Sequence, residues 1–443
     1  MSARTVLLFP GLGAYSTGML RQAAGEHPEV ARTFAELDRA AAEHGVPSVA
    51  QAVLRDEPRP IREMLALPTE VLQLAIFGAS VVTHRVLAAA GLRPYALLGH
   101  SFGEMAALVA AGAFSLAEGV HLVCARAEAL SDWEGRGAMA AIGANEAVAR
   151  HLIGAMDEPD LAVGCLNAPR QTVISGPVEA IDRAGQVAKA LELFYAKLHL
   201  PYASHHPSAR PAVARFVGLM AGIEQKPLEH RVYSPVHGRW YTDADDLKFA
   251  IAECMVLPVR FTDAVRDLHS SGATVFVESG ALNALTRCVE LTVPGVRTVA
   301  PLLDPADETG GLRRALAGEA DVRPQRTDTA SAVVAPVAPL APVEIPAARE
   351  PEAVVAPMMG KDAVLAKLRA LYAAALEYPE DALTEKALLE AELGVDSLKQ
   401  TALLSRVVEE FGLPDRPGEL RVWELPSLGA IADHVMGVER VLS

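Results

Sequence analysis

Ser101 sits in Gly99-His100-Ser101-Phe102-Gly103, a G-x-S-x-G pattern that follows a short apolar run at 96–98 and precedes an Ala-rich, helically spaced stretch from Glu104. In that setting the pattern makes a sharp strand-to-helix elbow. Its glycines let two backbones approach, the serine Oγ is pushed out of the turn, and the helix N-terminus offers free N–H groups to an oxyanion. A serine nucleophile needs a base. Of the 13 histidines, His205 in Pro201-Tyr202-Ala203-Ser204-His205 is the best placed, in a loop where the chain returns from a smaller segment. His206 beside it fits on residue type alone, so the choice between them stays open at this level. Gly11-Leu12-Gly13 follows the first apolar run. It is a weak dinucleotide signal, because Ser16 stands where the third glycine belongs, and the same turn could instead supply an oxyanion N–H. Arg126, within LVCARAEAL, either snorkels outward or binds an anion in a cleft. Asp396-Ser397, in LGVDSLKQ, reads first as a helix cap.

The elements that must position these residues are legible in outline. TVLLF at 5–9 reads as a strand ending in a Pro/Gly turn, and PTEVLQLAIFGASVVTHRVLAAAG as a helix. Strand, turn and helix in series indicate an α/β fold with a mainly parallel sheet, to which ATVFVESG adds a late strand. Between about 138 and 203 the rhythm changes. GAMAAIG, QTVISG and LFYAKLHL read as strands, VARHLIGAM and PVEAIDRAGQVAKALE as helices, a small α+β subdomain inserted in the larger one. Residues 323–358 carry proline every few positions, which removes backbone donors and excludes helix or central strand. They are expected to be an interdomain linker spanning roughly 30–35 Å as a coil. It separates a domain at 1–322 from one at 359–443. The latter is read as an acidic helical bundle with helices near 362–377, 397–411 and 428–436.

Composition excludes several classes. The net charge of −15 disfavours nucleic acid and anionic lipid surfaces as partners. No fully apolar run reaches bilayer length and the first ten residues lack a signal-peptide layout, so a cytoplasmic location is expected. Cys124, Cys165, Cys254 and Cys288 match no zinc spacing and are expected to be reduced, buried thiols, with no metal site.

Taken together, the motifs of the first 305 residues resemble the malonyl-CoA:acyl-carrier-protein transacylase family and the acyltransferase domains of polyketide synthases. The residues that carry the resemblance are Phe9-Pro10-Gly11-Leu12-Gly13, Gln73, Gly99-His100-Ser101-Phe102-Gly103-Glu104, Arg126, Gly137-Ala138-Met139, Asn167-Ala168-Pro169, Ser175-Gly176, Tyr202-Ala203-Ser204-His205, Pro258-Val259-Arg260-Phe261 and Glu278-Ser279-Gly280. LEAELGVDSLKQ is similar to the phosphopantetheine attachment signature of acyl carrier proteins. The resemblance implies an α/β-hydrolase-like core with a ferredoxin-like insertion, followed by a carrier domain. It implies Ser101 as nucleophile, His205 as base oriented by the backbone carbonyl of Arg260, and the N–H groups of Leu12 and Phe102 as oxyanion hole. Arg126 would hold a substrate carboxylate, Gln73, Tyr202 and Ser204 would line the substrate pocket, and Ser397 would carry 4'-phosphopantetheine. The implied partners are a malonyl- or methylmalonyl-type acyl-CoA, the chain's own carrier and other acyl carrier proteins, a downstream synthase and a phosphopantetheinyl transferase. The implied reaction is acyl transfer in polyketide or polyketide-like biosynthesis.

Some residues depart from the family's pattern. Leu12 replaces the usual glutamine, so only the backbone role of that position survives. Ser279-Gly280-Ala281 replaces the usual GPG. Tyr-Ala-Ser-His is nearer the methylmalonyl-selective pattern and GHSFGE nearer the malonyl one. An acyltransferase joined directly to a carrier resembles a loading didomain. An editing hydrolase and an inactive scaffold are the other readings, against which stand Arg126 and the intact Ser101/His205 pair.

Overall fold

The computed structural model describes residues 4–191, 193–198, 202–319, 360–376, 383–387, 389, 403, 407, 410–411 and 427–442. The chain divides into two compact units, Met1–Asp321 and Val322–Ser443.

The first unit is built on β1 (Thr5–Phe9), whose five residues are all buried. A strand covered on both faces reads as a continuous apolar run rather than an alternation. It pairs in parallel with β2 (Ala96–Gly99), Leu7 facing Leu97, and with a late strand at Val275–Glu278, Leu7 facing Val277. Leu7, Phe9 and Leu97 point to one side, against the helices Thr69–Ala89, Gly103–Ala110 and Leu116–Leu130. Val6, Leu8, Ala96 and Leu98 point to the other, where Phe261, Ala264, Val265 and Leu268 of the helix Phe261–Ser270 cover them. Thr69–Ala89, with 21 residues, is by length and composition the one helix among the described residues that could cross a membrane. Here it packs among the helices Pro28–Glu43, Gly103–Ala110 and Leu116–Leu130, and 14 of its residues are buried.

The inserted part forms a second sheet from β3 (Ala138–Ile142), β4 (Ala162–Ala168), β5 (Gln171–Gly176) and β6 (Tyr195–Lys197). All pairings are antiparallel and the spatial order is β4-β5-β3-β6. The helices Glu146–Ala155 and Val178–Ala190 fall after β3 and β5. A β-α-β-β-α-β chain order with that strand order is the ferredoxin-like arrangement. Its core mixes small and branched residues: Ala138, Ala140 and Ile142 from β3 pack with Ala180, Ile181, Ala184 and Ala188. β4 was not anticipated from the sequence, because Gly164 and Asn167 interrupt its apolar alternation. The main sheet is completed by β7 (Val232–Ser234), β8 (Arg239–Trp240), β9 (the late strand, Val275–Glu278) and β10 (Arg297–Val299), in the order β10-β9-β1-β2-β7-β8. Only β8 runs antiparallel to its neighbour.

In the second unit, the helices Lys361–Leu376 and Leu428–Leu442 bury Val364, Leu368 and Tyr372 on one and Leu428, Ile431 and Val435 on the other. Lys361 Nζ bridges Glu385 and Asp433, at 2.8 Å to each. Ser397, and most of the helix expected at 397–411, lie outside the described residues.

Candidate active site

The elbow forms where β2 ends at Gly99 and the helix Gly103–Ala110 begins. Gly103 is required by close approach, since a Cβ there would overlap the carbonyl oxygen of Phe9. Ser101 has φ +54° and His205 φ +56°, both in the left-handed region. Each costs a non-glycine residue of order 1–3 kcal/mol, a strain typical of functional sites. The two strained residues meet. Ser101 Oγ–H donates to His205 Nε2 at 2.7 Å, and His205 Nδ1–H donates to the carbonyl of Leu257 at 3.1 Å.

That carbonyl corrects the expectation of Arg260. The Arg260 carbonyl caps the helix Phe261–Ser270 and accepts the Ala264 N–H at 3.1 Å, so it is committed elsewhere. The Arg260 side chain is also engaged, with Asp263 at 2.7 Å and Glu146 at 3.4 Å. A backbone carbonyl leaves no mark in residue type, so no sequence signal could have separated position 257 from 260.

Burial, and next the nearby His100, push the His205 imidazole down to about 3, while the bond to Leu257 acts in the opposite direction. The ring is therefore neutral at physiological pH, with its Nε2 lone pair aimed at the serine proton. His206 does not compete. Its Nε2 lies 2.8 Å from the Asp160 carbonyl and its Nδ1 2.7 Å from Ser208 Oγ, so both ring nitrogens are occupied away from Ser101.

The Pro/Gly turn after β1 stands against the elbow. A Cβ on Gly11 would lie 3.1 Å from the His100 carbonyl oxygen and 3.8 Å from Ser101 Cβ. Among the described residues, the backbone N–H groups of Leu12 and Phe102 meet no acceptor. Phe102 is the N-cap residue of the elbow helix, where free donors and the helix dipole favour negative charge.

Arg126 is only 6% exposed. It does not snorkel. Its guanidinium carbon lies 5.7 Å from the Phe102 ring centre and 5.8 Å from that of Tyr202, and Nη1 donates to the Tyr202 hydroxyl at 3.3 Å. Among the described residues no carboxylate pairs with it. The guanidinium and Ser101 line one small cavity, with Met105, Phe216, Ile251 and Cys254 as its apolar remainder. A buried cation without a counter-ion beside a serine nucleophile can receive an anionic group of a substrate.

Two of the expected pocket residues, Gln73 and Ser204, are buried. Gln73 lies in the helix Thr69–Ala89, its Oε1 without a partner among the described residues, and Ser204 is next to His205. Tyr202 reaches the site through Arg126. Glu104, which ends the GHSFGE motif, is a carboxyl with no exposure that burial pushes up to about 7 and whose Oε1 accepts from the Tyr241 hydroxyl at 3.0 Å. Cys254 is the reduced, buried thiol expected from the sequence, and burial drives it far above the ordinary range.

Comparison with known proteins adds the following. The family model described as acyl transferase domain matches residues 6–324, and that described as phosphopantetheine attachment site matches residues 366–435. The chain is 31% identical over 296 residues to a phenolphthiocerol/phthiocerol polyketide synthase of Mycobacterium tuberculosis, covering 65% of this chain and 18% of that protein. It is 31% identical over 317 residues to the non-reducing polyketide synthase phnA of Penicillium herquei, covering 69% and 14%. It thus spans less than a fifth of the length of these curated relatives. Among solved structures, the malonyl CoA-acyl carrier protein transacylase of Coxiella burnetii is 29% identical with a TM-score of 0.63, covering 70% of this chain and 98% of that one. The acyltransferase domain from module 8 of the salinomycin polyketide synthase is 30% identical with a TM-score of 0.64, covering 71% and 76%.

Proposed function

This chain belongs to the acyl transferase domain family and carries a phosphopantetheine attachment domain, and from that premise we propose that it moves a malonyl-type acyl unit from coenzyme A to a carrier thiol through an ester on Ser101. His205 Nε2 takes the Ser101 proton as Oγ attacks the thioester carbonyl. The N–H groups of Leu12 and Phe102 hold the oxyanion, each worth about 2.7–4 kcal/mol when removed from comparable sites. His205 then gives its proton to the departing thiolate of coenzyme A. In the second half-reaction His205 takes the proton of the incoming thiol and returns one to Ser101 as the ester breaks. The observation that carries the malonyl-type reading is Arg126, a buried guanidinium beside Ser101 whose counter-charge is the free carboxylate of the acyl group.

Phosphopantetheine supplies the accepting thiol on a long arm. Its attachment needs only a hydroxyl, which Ser397 provides in the sequence between the two described carrier helices. A phosphopantetheinyl transferase would install it, and a downstream synthase in the cytoplasm would consume the loaded carrier. Intact-mass spectrometry of the phosphopantetheinylated chain with a panel of acyl-CoAs tests the reading. Malonyl- or methylmalonyl-CoA should leave one acyl on Ser101 and one on the arm at Ser397, whereas acetyl-CoA should leave little on either. Equal loading from all donors would remove the role of Arg126.

The chain's own carrier is the expected acceptor, with other carriers second. A tether of the linker's length sets an effective concentration on the order of millimolar. Loading of the intact chain should therefore outrun that of fragments 1–320 and 360–443 mixed at micromolar concentrations. If a foreign carrier is loaded faster than the fused one, the enzyme acts in trans.

The pH dependence follows from His205. A base whose pKa is lowered is in its active form above that value and loses it only as pH falls through it, here toward about 3. Single-turnover acylation, read by quench and mass spectrometry, should stay level across about pH 5–8, without the inflection of an ordinary histidine. A half-maximal rate near 6.5 would mean that His205 keeps the ordinary histidine value in the working enzyme.

A further inference from the structure

The residue before the nucleophile and the residue after the base each bind the same strand. His100 Nε2–H donates to Asn167 Oδ1 at 2.8 Å, near the C-terminal end of β4. His206 Nε2–H donates to the carbonyl of Asp160, just before β4 begins, at 2.8 Å. The partners fix the His206 tautomer. Nδ1 receives the Ser208 N–H at 3.2 Å and can only accept there, so the ring proton sits on Nε2, facing a carbonyl that can only accept. The middle of β4 holds the third component: Val259 N–H donates to Gly164 O at 2.9 Å and Leu166 N–H to Val259 O at 2.8 Å, two residues beyond the carbonyl that orients His205. A Cβ on Gly164 would lie 3.5 Å from His205 Cβ.

We propose that His206 is a positioning residue: together with the His100–Asn167 contact it clamps the two ends of β4, so that one strand of the inserted subdomain sets the distance between Ser101 and His205. His205 holds a left-handed backbone conformation that its own side chain disfavours, φ +56°, and such conformations persist only where their surroundings over-determine them. The His206 backbone bond to Met255 O, at 3.2 Å, secures one side of that residue, and the His206 ring secures the other. The histidine pair noticed in the sequence thus divides its labour, one ring for the proton and one for its place.

The inference rests on the reading of Ser101 and His205 as nucleophile and base. Single-turnover acylation of the full chain by malonyl-CoA tests both. If the wild type forms no ester on Ser101, that underlying reading fails. Given an ester, His206→Phe should lower the maximal acylation rate by about 100-fold, the usual cost of a displacement near 1 Å, with half-saturation changed by less than about twofold. His206→Gln, whose amide N–H reaches the Asp160 carbonyl, should recover to within about threefold of wild type, and the shorter His206→Asn should not. The Gln and Asn comparison decides the matter even if the Phe variant does not fold. Wild-type rates in His206→Phe, or equal losses in Gln and Asn, would overturn the clamp.

Discussion

Replacing Ser101 by alanine removes acyl transfer and leaves the fold in place. The acylation rate should fall by on the order of 10⁴-fold or more, because nucleophile and base act as a unit and the loss of either removes nearly the whole effect. Incubation with malonyl-CoA and peptide mapping should show no acyl group within residues 1–321; an adduct on the mutant would identify another nucleophile. Stability gives an independent check of the elbow geometry. Alanine keeps the left-handed strain of φ +54°, whereas glycine adopts that conformation freely. Ser101→Gly, equally inactive, should therefore be more stable than Ser101→Ala by about 1 kcal/mol, or about 2 °C in melting temperature for a unit this large. Equal melting temperatures would mean that the turn relaxes once the serine is gone.

What the sequence disclosed, and what it withheld, divides along a physical line. β1 and the elbow were legible because a strand covered on both faces must be apolar throughout, and because a serine pushed out of a turn needs glycines in register beside it. The ferredoxin-like insertion was visible as a change of rhythm, though β4 escaped notice. That strand carries Gly164 against His205 and Asn167 against His100, so the residues that break its apolar pattern are those facing the candidate site. A strand that serves chemistry on one side loses the alternation by which strands are recognised. The choice between His205 and His206 could not be made on residue type. It depends on which ring turns toward Ser101, and a left-handed backbone at 205 decides that. The orienting carbonyl was misplaced by three residues because every residue has one, and only the start of the helix Phe261–Ser270 reveals that the one at 260 is already used. Arg126 was ambiguous for the opposite reason: its charge is conspicuous, but an apolar neighbourhood in sequence fits both a snorkelling stem and a buried clamp.

The Arg126 position supports the second large expectation. Arg126→Ala should lower transfer from malonyl-CoA far more than transfer from acetyl-CoA. Stranding the substrate carboxylate in a buried site costs about 2–5 kcal/mol, or roughly 30-fold to several thousand-fold in rate. Acetyl-CoA presents no carboxylate, so its slow transfer should change by a few-fold at most, in either direction. Arg126→Lys should fall between, since it keeps the charge but loses the fork that meets both carboxylate oxygens. The free enzyme gives a second readout. Without a counter-ion, the buried guanidinium carries a desolvation cost that its stacking on Phe102 and Tyr202 offsets only in part. An anion that fills the site removes that cost. Malonate should therefore raise the melting temperature of the wild type and leave that of Arg126→Ala unchanged. If both donors lose rate equally and malonate stabilises both proteins alike, Arg126 holds Tyr202 and Phe102 in place and does not read the substrate. With an intact Ser101 and His205, transfer would then extend to donors without a free carboxylate, since among the described residues nothing else in the cavity wall carries a positive charge.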